Sequence, residues 1–102
     1  MAKIRRGTTP KIKCELPFDV SELAEAIMTI RQHGTVCIEK SIQDADCDGY
    51  LLSYPLSQED TLKLDHESPV EIQVRVKTTY GSALASSVEE VQVGRILKDG
   101  VI

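Results

Sequence analysis

The chain predicts a mainly β protein: a small antiparallel β-sandwich in one domain. Three observations lead there. Residues 70–78, Val-Glu-Ile-Gln-Val-Arg-Val-Lys-Thr, alternate apolar and polar without a break. That is the pattern of an antiparallel strand with one face in a core and the other in water. Other short runs rich in β-branched residues are bounded by Gly, Pro and Asp, and no helical stretch of about 10–15 residues separates them. The chain has 102 residues, a length that favours a single domain with one modest core.

The elements follow in order. Lys11-Ile-Lys-Cys-Glu-Leu16 alternates between Pro10 and Pro17, so Ile12, Cys14 and Leu16 share the inward face of a strand. Residues 19–31 admit two readings. One is a helix with Leu23, Ala26, Ile27 and Ile30 on its buried stripe; the other is a turn at 19–23 followed by a strand at about 25–32. The β-branched Ile27, Thr29 and Ile30 favour the second. His33-Gly34 then turns the chain into a returning strand at 35–40. Residues 43–49 read as a polar loop, 50–54 as a strand, and Ser57-x-x-Asp60 as the N-cap of a one-turn helix over 58–62. That turn sends Leu62 and Leu64 toward the core. After the strand at 70–78, Tyr80-Gly81 makes a turn and a strand runs over 83–93, with a bulge at Ser86-Ser87. Six or seven short strands with one or two helical turns make the sandwich immunoglobulin-like, with a partly open barrel as the alternative. Residues 1–10 read as a flexible basic lead-in, and residues 11–102 as the domain, including an apolar tail over 95–102.

Composition narrows the function classes. Phe18 is the only phenylalanine and tryptophan is absent, so Val, Ile, Leu, Ala and Met must build the core. The net charge of −4 disfavours non-specific nucleic-acid binding, which needs a positive surface. Lys3, Arg5, Arg6, Lys11 and Lys13 give the start a basic bias. This reads as a solvated, mobile segment, with an arm that grips nucleic acid as the other reading. No run approaches the roughly 18 apolar residues of a membrane span, and the start lacks the apolar stretch of a secretory signal. Cys14, Cys37 and Cys47 are odd in number and lack metal-binding spacing. Cys14 and Cys37 read as small core residues that could touch across neighbouring strands. Cys47, between two acids, is a poor nucleophile because the carboxylates oppose its thiolate.

The sharpest chemical motif is Asp44-x-Asp46-x-Asp48-Gly49, the first half of a calcium loop. Its twelfth position is Pro55, which cannot supply the closing carboxylate, so an acidic surface loop is the competing reading. His33 and His66 fall in expected turns without converging ligands. No nucleophile motif, phosphate-binding loop or dinucleotide fingerprint occurs, so neither an enzyme nor a cofactor is expected. Tyr80, Ile96, Leu97, Val101 and Ile102 are the candidate interface residues, in a turn and in the tail. The tail either covers its own core or docks on a neighbouring subunit.

Three segments carry a resemblance. They are Arg6-Gly-Thr-Thr-Pro10 with Ile12-Lys-Cys-Glu-Leu-Pro-Phe18; Leu56-Ser-Gln-Glu-Asp-Thr-Leu-Lys-Leu64; and Val70-Glu-Ile-Gln-Val-Arg-Val with Tyr80-Gly81, Ala83-Leu-Ala-Ser86 and Val93-Gly-Arg-Ile-Leu-Lys-Asp-Gly-Val-Ile102. With these the chain resembles small prophage-encoded proteins of Gram-positive bacteria. Leu56, Thr61 and Leu64 also match a turn before the long strand in the N-terminal domain of phage baseplate upper proteins. These are packing positions, so the resemblance implies a fold and transfers no active site. It implies a structural or assembly module of a phage or prophage particle, working through protein contacts, as a homo-oligomer or with another virion subunit. The particle or the bacterial cytoplasm is the expected location. The alternative is a monomeric accessory protein of a mobile element that binds a host protein or a cation.

Overall fold

The computed structural model describes residues 3–102. Its elements are β1 (Lys3–Arg5), β2 (Lys11–Glu15), a 3-10 turn (Val20–Glu22), β3 (Leu23–Gln32), β4 (Thr35–Ser41), a second 3-10 turn (Ile42–Asp44), β5 (Asp46–Asp48), β6 (Leu51–Pro55), α1 (Gln58–Leu62), β7 (Val70–Thr78), β8 (Ala83–Ala85) and β9 (Glu89–Gly94). Two sheets result. The larger runs β1-β9-β7-β3-β4, with β8 also on β7; the smaller runs β2-β6-β5. All pairings are antiparallel except β1 with β9. This is the small β-sandwich expected. Its strand order is that of a variable-type immunoglobulin domain, with β2, β6 and β5 in the places of strands B, E and D, and β9, β7, β3 and β4 in those of G, F, C and C′.

Alternation places the core. Val70, Ile72, Val74, Val76 and Thr78 of β7 are all buried, and Ala26, Met28, Ile30 and Gln32 of β3 lie beside them. Leu52 and Tyr54 of β6 close the layer from the smaller sheet. Residues 19–32 take the turn-and-strand reading: Asp19 caps the first 3-10 turn by accepting from the Ser21 amide, and β3 follows. His33 and Gly34 have φ of 55° and 75° and join Gln32 to its partner Thr35. Two positive φ angles in a two-residue connection make a type I′ hairpin, whose twist suits the flanking strands. The expected cap on α1 is a full capping box between Ser57 and Asp60. The strand expected over 83–93 is broken between β8 and β9. There the Ser86 hydroxyl accepts from the Val74 amide at 3.0 Å, in place of a backbone carbonyl.

Three expectations need correction. The flexible lead-in is instead largely structured: β1 pairs with β9, Ile4 is buried, and Arg6 is anchored. Met1 and Ala2 lie outside the described residues. Residues 43–49 are a short turn followed by β5, rather than a loop, because Asp46–Asp48 pair with β6. Cys14 and Cys37 cannot touch across neighbouring strands, since β2 and β4 belong to different sheets.

Candidate protein-binding surface

β1 joins the larger sheet, and this leaves β2 at the edge of the smaller one. Backbone parity decides what that edge presents. The Leu16 amide donates to Tyr50 O and Pro10 O accepts from the Leu56 amide, so even-numbered residues of this strand turn their polar backbone toward β6. The odd-numbered Lys11, Lys13 and Glu15 therefore turn their amides and carbonyls outward. Among the described residues these groups meet no backbone partner. Only the Cys14 thiol approaches Glu15 O, at 3.9 Å.

Beside the edge lies an open groove of about 580 Å³ between the sheets. Ile12 and Cys14 are half-buried on one wall, and Ile4, Ile72, Val74 and Val91 form the other. Burial pushes the Cys14 thiol above its ordinary pKa, so it stays protonated and behaves as an apolar wall residue. Lys3, Lys11, Lys13, Glu15, Glu89 and Glu90 rim the groove. The alternation of residues 11–16 is plain in the sequence. That their strand is an edge follows only from the long-range pairing of β1 with β9, which no local pattern announces.

The residues singled out in sequence are distributed differently. Tyr80 is exposed in the turn after β7. The tail follows β9, whose end lies beside the start of β7, so Tyr80 and the tail sit at opposite ends of that strand. The tail runs back across the α1 end, held largely by polar contacts. Arg6 Nη1 reaches Asp99 at 2.6 Å, and Gln58 exchanges two hydrogen bonds with the Ile102 backbone at 2.8 and 3.1 Å. Ile96 packs over Gly7, while Leu97, Val101 and Ile102 point their apolar side chains to solvent.

The three aspartates of the calcium half-motif do not converge. The Asp44 carboxylate accepts from the Ser41 amide at 2.9 Å and closes a capping box there. Asp46 and Asp48 are exposed on β5, opposite Ser53 and Leu51 of β6. Strand pairing has replaced the loop that a cation would need, and no group of three His, Cys, Asp or Glu among the described residues is placed to hold a metal. His33 and His66 both come near Asp65, with His33 Nε2 at 3.5 Å. The Asp65 carboxyl is held below its ordinary pKa, first by the Glu67 amide.

Two anchoring polar residues, the buried Gln32 and the partly buried Arg6, escaped sequence reasoning. Gln32 is 4% exposed. Its Nε2 donates to Asp65 O at 2.7 Å and Ser68 O at 2.8 Å, and its Oε1 accepts from the Asp65 amide at 2.8 Å. Arg6 donates to Leu64 O and Leu62 O at 2.8 and 3.1 Å, satisfying carbonyls at the end of α1. Parity was the available signal for Gln32, which follows Met28 and Ile30 on the inward face.

The fold and this edge together define an immunoglobulin-like sandwich with an open sheet edge beside an apolar groove. No family profile matches the chain, and no curated protein does. Among solved structures, the chain is similar to a strand-swapped dimer of the immunoglobulin-like domain of mouse leukocyte-associated immunoglobulin-like receptor 1. The identity is 12%, over 89% of this chain and 84% of that one, with a TM-score of 0.49. No helix among the described residues is long and apolar enough to cross a membrane.

Proposed function

We propose that this chain is a non-enzymatic structural or assembly module of a phage or prophage particle, acting through protein–protein contacts. The observation that carries the contact role is the β2 edge: outward-facing amides and carbonyls beside an apolar groove. Such an edge is a template for another chain unless it is covered. The resemblance of three segments to prophage-encoded proteins supplies the setting. The structure is compatible with it in one respect: Leu56, Thr61 and Leu64, which match the baseplate proteins, are all buried.

The test is to induce a lysogen that encodes the chain, purify particles on a density gradient, and quantify the chain by mass spectrometry. The expected result is a fixed copy number relative to the major tail proteins. Recovery in the soluble lysate alone, with particles of normal yield and composition, overturns the reading.

A further inference from the structure

We infer that the β2 edge accepts one extended strand of a partner protein, with apolar residues at alternate positions and acidic residues opposite Lys11 and Lys13; this rests on the contact role proposed above. Five strands leave an open edge among the described residues: β1, β4 and β8 of the larger sheet and β2 and β5 of the smaller. β1, β5 and β8 have three residues each. β4 is longer, but its pairing with β3 shifts register between Ile30 and Arg31. A bulge of that kind twists an edge away from further pairing. β2 runs five residues in unbroken register with β6. It is also the edge with the apolar groove beside it.

The geometry then sets the partner's chemistry. An added strand bonds to Lys11, Lys13 and Glu15, and its side chains alternate between two sides. One set enters the groove and covers Ile12, Cys14 and Val74. The other lies on the outer face, directly opposite Lys11 and Lys13, where opposite charges stabilise a cross-strand pair and like charges oppose it. The occupant is a single strand rather than a second copy joined edge to edge. β1 and β9 form part of the groove's far wall, so a symmetry-related β2 would bring its own β1 and β9 into the same space.

The experiment uses the full chain and two blocked synthetic peptides, Val-Glu-Val-Glu-Val and Val-Lys-Val-Lys-Val, with amide hydrogen exchange followed residue by residue by NMR. The acidic peptide is expected to slow exchange at Lys11, Lys13 and Glu15. Ile12 and Cys14, already turned toward β6, should change little. Lys13→Glu should weaken the acidic peptide by about tenfold and strengthen the basic one. Because Lys13 is exposed, an unchanged far-UV spectrum will show that the variant folds. Equal binding of both peptides, protection on β4 instead, or no protection at millimolar peptide overturns the inference. So does a dimeric mass by light scattering with the same three amides protected in the absence of peptide, since the second copy is then the occupant. That last result leaves the contact role intact. Absence from purified particles removes the particle reading without touching the peptide result.

Discussion

Gln32 clamps the segment between α1 and β7 to the end of β3, and replacing it should unfold the protein at markedly lower denaturant. Three hydrogen bonds of 2.7–2.8 Å run from its amide to Asp65 and Ser68. Both of the amide's polar atoms are used: Nε2 faces two carbonyls and Oε1 faces an amide, which fixes the orientation of the group. Each such bond contributes about 0.5–1.5 kcal/mol net. Gln32→Met keeps the volume and the apolar stem but strands one amide and two carbonyls. Asp65 and Ser68 are only half-buried, so water recovers part of the loss. The expected cost is about 2–4 kcal/mol, or roughly 10–20 °C in Tm for a domain of this size. Urea unfolding followed by far-UV circular dichroism measures it, with an unchanged m-value as the check that only stability has moved. Gln32→Glu, which keeps an acceptor for the Asp65 amide but sets a charge against two carbonyls, should be at least as damaging. A Gln32→Met midpoint equivalent to less than about 0.5 kcal/mol would refute the clamp.

Three further outcomes follow from single groups. Burial alone would raise the Asp60 carboxyl, but the Ser57 amide and hydroxyl and the Lys40 ammonium bring it below its ordinary value. Its stabilising contribution is therefore present above the unfolded-state pKa and is lost as pH falls through the folded one. Asp60→Asn should flatten that acid limb in urea midpoints taken from pH 6 to 2. His33 sits at φ 55°, so His33→Val should cost about 1 kcal/mol or more while His33→Gly stays near neutral, both read by thermal melting. Tyr54 is fully buried with no hydrogen-bond partner for its hydroxyl among the described residues, and burial, then Cys47, Asp44 and Cys14, push its phenol up to about 12. Tyr54→Phe should be neutral or slightly stabilising. In the parent protein, stability should fall as pH rises from the unfolded phenol value toward 12.

Much of the fold was legible because it is written in local alternation. β2, β7, the turn at His33-Gly34 and the Ser57–Asp60 cap each depend on residues within about ten positions. The β-branched residues of β3 were enough to choose strand over helix. What stayed hidden is non-local. Lys3-Ile4-Arg5 reads as a charged lead-in until β9 lies beside it, because three residues carry no period of their own. β5 hid for the same reason: Asp46-Cys47-Asp48 has a turn-forming composition, and only the pairing with β6 makes it a strand. The candidate surface was half visible. The inward face of β2 could be read directly, but its outward edge depends on where β1 went.

The same topology explains why a variable-type arrangement could be built here from a sequence lacking that fold's usual residues. Antibody domains join strands B and F through a disulfide and pack a strand C tryptophan against it. Here the B-strand position is the free Cys14, β7 supplies Val, Ile and Thr78 to the core but no cysteine, and β3 supplies Met28, which is fully buried. A thioether on three rotatable bonds fills irregular space, and aliphatic walls take over where the staple would have been. The interior is therefore held by burial and by polar clamps at one end, where Arg6, Gln32 and Asp60 fasten α1 and the segment after it. On the opposite side of the sheet from β5, no cystine draws β2 against β7. The wall of Ile12 and Cys14 is only half-buried beside the groove, so a strand added at the β2 edge would bury it further.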